Sequence, residues 1–100
     1  DYTYVDDIVD GVIACTERPF GFEVFNLGES QTIRLDRMIA LLEQQLGRRA
    51  VIDRQPLQPG DVPQTFADIT KARALLGYNP CTPFERGIER FVTWFQASGR

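Results

Sequence analysis

Between Gln58 and Ala72 the chain reads QPGDVPQTFADITKA, and no other stretch constrains the fold so strongly, because this residue order is hard to explain as core building. Pro59 and Pro63 bracket a Gly60-Asp61 pair. Proline fixes its own φ and withholds a backbone donor, so the segment predicts a stiff turn that projects the Asp61 carboxylate from pre-set backbone angles. Two readings stand side by side for Asp61. Its carboxylate is offered to a ligand, or it closes its own turn through a side-chain-to-backbone hydrogen bond.

Around this loop the chain predicts about four helices and three short strands. Asp1 to Val5 alternates polar and bulky residues and reads as a strand, after which Asp6 or Asp7 caps a helix with the apolar stripe Ile8, Val9, Val12 and Ile13. Phe22 to Leu27 is nearly continuous in apolar character, as expected of a buried strand. From Leu35 the residues Met38, Ile39, Leu42 and Leu46 recur at helical spacing, and Gly47 stands where a left-handed cap belongs. Ala50 to Leu57 is expected as an edge strand feeding the loop. Asp68 caps a short helix with Ile69, Ala72, Leu75 and Leu76 inward and Gly77 at its end. Thr82-Pro83-Phe84-Glu85 carries a capping box before a helix that buries Phe84, Ile88, Phe91, Val92 and Phe95. Trp94 and Gly87 mark where that helix meets another surface.

Several kinds of chemistry are excluded by composition. The net charge is −3 with the signs interspersed, which leaves no electrostatic footprint for nucleic acid or an anionic membrane. There is no histidine, and the two cysteines, Cys15 and Cys81, lie far apart, so neither a metal site nor a Cys-His nucleophile is expected. Cys15 packs as a small hydrophobe. No apolar run reaches the length of a membrane span and no leader opens the chain, so the expected location is cytoplasmic. A start at Asp1 rather than methionine implies a chain cut from something longer or expressed behind a removed tag.

The blocks DYTYVDD (Asp1 to Asp7), FNLGES (Phe25 to Ser30), Leu46-Gly47, QPGDVPQTFAD (Gln58 to Asp68), LGY (Leu76 to Tyr78) and TPFERGIERFVTWF (Thr82 to Phe95) stand in the order and at the spacing of a known family. Through them the whole chain resembles the C-terminal, substrate-side part of the extended short-chain dehydrogenase/reductases, and most closely the NAD-dependent nucleotide-sugar epimerases acting on UDP-glucuronate. The resemblance implies an α+β architecture: residues 1–100 form one partial domain, the C-terminal portion of an extended Rossmann-type epimerase without its dinucleotide-binding half.

In the resembled family NAD oxidises the sugar at its 4-position and returns the hydride to the other face, while a tyrosine with a lysine four residues later moves the proton. Neither device is legible here. No Gly-x-Gly-x-x-Gly follows a strand, so no cofactor-binding residues are assigned and none is expected for this chain. Tyr2, Tyr4 and Tyr78 are followed four residues on by Asp6, Ile8 and Thr82, so no catalytic residue is assigned either. The only lysine, Lys71, is expected in a solvated role. What the resemblance retains is the nucleotide loop: Gln58, Gly60, Asp61 and Thr65 match substrate-binding positions, with Asp61 suited to accept from a ribose hydroxyl. The reading is an inert nucleotide-sugar side of a UDP-sugar epimerase. The alternatives are a free-standing nucleotide-binding module and a truncated chain that self-associates, with a homodimer expected through exposed apolar faces.

Overall fold

A computed structural model describes residues 1–99 of the chain as four helices in the order α1 (Val5–Glu17), α2 (Leu35–Leu46), α3 (Thr70–Leu76) and α4 (Phe84–Ala97). The helices pair, α1 with α3 and α2 with α4. Glycine ends two of them as the sequence leads one to expect. Gly47 and Gly77 adopt φ of 63° and 66°, left-handed values that cost a residue with a Cβ extra energy, and each donates its N–H back to the last turn. Ile69 stands at the N-cap of α3 without a side-chain cap, and Asp68, one residue earlier, accepts the Thr70 N–H at 3.0 Å and its hydroxyl at 2.6 Å, so the expected aspartate ties the first turn from one position further out.

Two other helix starts differ from expectation. The first helix begins at Val5, so Asp6 and Asp7 lie in its first turn instead of preceding it, and no side chain caps Tyr4. Pro83, not Thr82, precedes α4, and the expected capping box makes no cap hydrogen bond. The reason lies across the fold. The buried carboxylate of Asp7 accepts the Thr82 N–H at 3.0 Å and the Cys81 N–H at 3.4 Å, so a residue of α1 satisfies the amides that lead into α4.

None of the three expected strands forms among the described residues. Residues 1–4, 22–27 and 50–57 lie outside the helices, and a strand needs a neighbour whose N–H and C=O groups complete its ladder. Among the described residues no such neighbour is paired with them. Phe22, expected inside, is instead 87% exposed and Val51 101%. The expected stripe on α1 is largely open: Val9, Val12 and Ile13 are exposed and Ile8 is half-buried, while Asp7 and Gly11 are buried, with Ala14 and Cys15 packed on the core. Leu35, Leu75 and Phe91 are also exposed rather than inward.

The core gathers around Ile69, Ala72, Leu76 and Tyr78, with Phe20, Phe25 and Leu27 packed against it. Gly11 permits this approach. A Cβ there would stand 2.7 Å from a Leu27 methyl and 3.0 Å from the Tyr78 ring. Gly87 lies against the Tyr4 ring, as expected of a meeting surface, although a Cβ there would stand at an ordinary 3.4 Å, whereas Trp94 stays exposed. The radius of gyration is 16.3 Å, against about 13 Å for a self-sufficient domain of this length.

Candidate functional site

The N-terminal half of α2, residues 52–57 and residues 61–65 enclose an open groove of about 1290 Å³. Its loop wall is built from the bottom by one turn. The Asp61 N–H donates to the Gln58 carbonyl at 3.1 Å, with Gly60 at φ 91° in the third position, the geometry a type II turn after proline requires. The turn is closed by backbone alone. Among the described residues the Asp61 carboxylate takes no hydrogen bond, so it is available to a ligand.

The four residues read from the sequence take different places. Asp61 and Thr65 line the groove, whereas Gln58 and Gly60 form the turn behind it. The Gln58 amide Nε2 folds back onto the Pro56 carbonyl at 3.1 Å. Thr65 is held by Asp1: its carbonyl and its hydroxyl oxygen accept from the Asp1 amino nitrogen at 2.9 and 2.6 Å.

Asp1 was not legible as a site residue. Its carboxylate accepts from the Thr3 hydroxyl (3.2 Å) and from the N–H groups of Glu29 (3.1 Å), Ser30 (3.0 Å) and Ala67 (2.9 Å), and it also lines the groove. Partners so far apart in sequence leave no local signal.

The groove is rich in acids. Asp1, Asp36, Glu43, Asp53 and Asp61 face only Arg34 and Arg54. Arg34 is tied to Asp36 by three contacts of 2.8 to 3.2 Å, which hold the Asp36 carboxyl below its ordinary range. Such a wall suits hydroxyl donors better than phosphates. Gripping a diphosphate here requires cations from outside the groove.

A second hydrophilic cluster lies behind Asp1. Burial pushes the Glu29 carboxyl up to about 7, helped by the charge of Asp7 and its hydrogen-bonding contact, and Glu29 Oε2 is buried without a partner. Burial, then the charges of Asp7 and Glu29, also raise the Tyr78 hydroxyl, which donates to the Gly28 carbonyl at 3.3 Å.

For a dinucleotide the chain offers no cradle among the described residues. Gly47 and Gly77 end helices, Gly60 makes the loop turn, Gly11 and Gly28 admit neighbouring side chains, and Gly87 lies against the Tyr4 ring. These positions do not fit NAD. Lys71 pairs with Glu23 and lies over the Phe25 ring. No group of His, Cys, Asp and Glu residues that could hold a metal occurs among the described residues.

No family model matches the chain. Individual proteins do. A protein of Methanocaldococcus jannaschii without an assigned function is 42% identical over 95% of the chain, and a UDP-glucuronate 4-epimerase of Thermodesulfobacterium geofontis is 39% identical over 94%; the chain spans 29% of each. Among solved structures, the UDP-glucuronic acid 4-epimerase of Bacillus cereus, in complex with UDP-glucuronic acid and NAD, superimposes with a TM-score of 0.89 at 32% identity. The match covers 98% of this chain and 32% of that one. The UDP-glucose 4-epimerase of Thermotoga maritima, with UDP-glucose, gives 0.89 at 31% identity over 100% of this chain and 32% of its own.

Fold and sequence thus make the chain similar to Rossmann-type nucleotide-sugar 4-epimerases, among them one solved with UDP-glucuronic acid and NAD. More particularly, it matches the C-terminal part of UDP-glucuronate 4-epimerases, and it spans about a third of the length of the relatives it matches.

Proposed function

We propose that this chain forms the nucleotide side of a UDP-sugar site in an epimerase of UDP-glucuronate type, and that it is catalytically inert by itself. The observation that carries the reading is the free carboxylate of Asp61 beside Thr65 on one groove wall. Asp61 accepts from a ribose hydroxyl, and Thr65 offers its hydroxyl to the ligand. Gln58 and Gly60 hold the turn that aims Asp61. Proton transfer, the dinucleotide and the cations for the diphosphate come from residues beyond these hundred.

In the same reading the chain is one partial domain with a cytoplasmic location. The extended radius of gyration and the open faces at Phe22, Val24, Val51 and Leu57 support an incomplete core. Free Cys15 and Cys81 accord with a reducing compartment, and no described helix is long and apolar enough to cross a membrane. Without a covering partner, those faces lead the chain to pair as a homodimer.

The test is twofold. Calorimetric titration with UDP should give weak heats that Asp61→Asn abolishes, and the chain supplied with NAD and UDP-glucuronate should release no epimer. Product formation by thoroughly purified chain, or an Asp61→Asn variant that binds UDP as well as the parent, would overturn the reading.

A further inference from the structure

We propose that Glu29 and Asp7 share one proton and form a pH-sensitive latch: with the proton in place the Glu29 carboxyl donates to Asp7 and ties the turn at residues 28–30 to the junction of α1 and α4, and without it that tie is released. The geometry is a pair of acids with nothing basic beside it. Asp7 is 3% exposed, and each of its oxygens already accepts a backbone amide, Oδ1 from Cys81 at 3.4 Å and Oδ2 from Thr82 at 3.0 Å. Glu29 reaches the same carboxylate, yet its Oε2 is buried with no hydrogen-bond partner. Among the described residues no lysine or arginine pairs with either acid; the ion pairs use Asp6, Glu23, Asp36, Glu85 and Glu89.

Two buried carboxylates in contact both accept and neither donates, so a doubly charged pair repels itself and leaves Glu29 Oε2 stranded. One proton removes both costs. Placed on Glu29 it becomes a donor toward Asp7, leaves a single negative charge on the pair, and lets Asp7 keep the amides of residues 81 and 82. It belongs on Glu29 because Asp7 is the acid held by two N–H donors, which favour its charged form. The Glu29 carboxyl, pushed up to about 7 by burial first and by Asp7 second, agrees with that placement. The other ionisable groups packed around the pair are no source of positive charge: Tyr78, which donates to the Gly28 carbonyl at 3.3 Å, Asp10, which acts on Tyr78, Asp1, which accepts the Glu29 N–H, and the Cys81 thiol, 3.9 Å from Asp7. As pH rises the proton leaves to water and the pair passes from one negative charge to two. The turn it ties contains Ser30, the one non-glycine residue described with positive φ, 58°, a conformation that persists only under outside support.

The test follows the full chain and its Glu29→Gln and Asp7→Asn variants by NMR from about pH 5 to about pH 9, reading side-chain carboxyl shifts, backbone amide shifts and amide exchange corrected for its intrinsic pH dependence. In the parent, Glu29 should titrate with a midpoint of about 7, and the amide shifts of Ser30, Cys81 and Thr82 should follow the same midpoint. Corrected exchange at Ser30 should quicken about tenfold across it, with Leu41 in α2 unchanged. Glu29→Gln offers Asp7 an amide donor at every pH, so these responses should be flat. Asp7→Asn removes the neighbouring charge and should move the Glu29 midpoint down.

A Glu29 midpoint at its ordinary 4.5, or amides of Cys81 and Thr82 that ignore the Glu29 titration, would overturn the latch. So would amide responses that persist in Glu29→Gln, or a Glu29 midpoint unmoved in a folded Asp7→Asn, which would leave burial as the sole cause. Should Asp7→Asn fail to fold, the parent and Glu29→Gln decide the matter.

Discussion

The carboxylate of Asp7, buried in the first turn of α1, accepts the backbone N–H of Thr82 at 3.0 Å, seventy-five residues away. This contact joins the opening helix to the entry of the closing one, in the place where a local capping box was expected.

Removing one partner of a buried hydrogen bond leaves the other without water or a substitute. Asp7→Ala, which strands the amides of Cys81 and Thr82, should therefore lower unfolding stability by about 1–3 kcal/mol. Thr82→Ala should not abolish a cap, since the Thr82 hydroxyl makes none. Urea midpoints check both, and an Asp7→Ala midpoint equal to the parent's would show that this link does not hold the helices together.

Glu29 predicts a pH dependence. Its folded carboxyl sits at about 7 against an ordinary 4.5, so the folded chain keeps a proton that the unfolded chain releases between those values. The stabilisation is complete below the unfolded value and is lost as pH rises through about 7. Asp7 is the charged group that acts on it, Tyr78 feels its charge in turn, and Asp1 accepts its backbone N–H. Denaturation midpoints taken from about pH 5 to about pH 8 should fall, and Glu29→Gln should flatten the decline. A parent midpoint that rises over this range would contradict the assignment.

Gly11→Ala tests the packing of α1 on the core. The added Cβ would press to 2.7 Å from Leu27, and overpacking of this kind costs about 1–3 kcal/mol. Gly21→Ala is the control, because open space surrounds that position. Equal thermal midpoints for the two variants would show that the Gly11 contact relaxes freely.

How much of this was legible follows the range of the interactions. Gly47 and Gly77 act within one helical turn, and the sequence alone places them correctly; Asp68 makes its local bond to Thr70 one position before the N-cap. The strands at 22–27 and 50–57 were misread because β-branched and aromatic runs signal burial in a sheet without saying who supplies its other strands. Thr82 matched a local motif, but Asp7 reached its backbone first. The loop around Asp61 was found from its prolines, whereas Asp1, bonded to residues 29, 30, 65 and 67, gave no periodic or local sign.

The exposed apolar surface predicts association. Phe22 at 87%, Val24 at 65% and Leu57 at 76% exposure join Val5, Val9, Val12 and Ile13 of α1 in facing water. Apolar area left in water costs about 25 cal/mol per Å², so pairing of two copies is favoured. Light scattering at micromolar concentration should give a dimer mass, and Phe22→Ser with Val24→Ser should shift it toward monomer. A parent chain that stays monomeric would show that these faces need no cover.

The central claim is that the groove between α2 and the Gln58 loop binds the nucleoside end of a UDP-sugar. Residue-resolved NMR titration of the chain with UDP tests it most directly. The account predicts saturable shifts confined to residues 52–57 and 61–65 and the start of α2, reduced by Asp61→Asn. Shifts centred instead on the apolar face of α4 around Phe91 and Trp94, or none up to millimolar UDP, would contradict it.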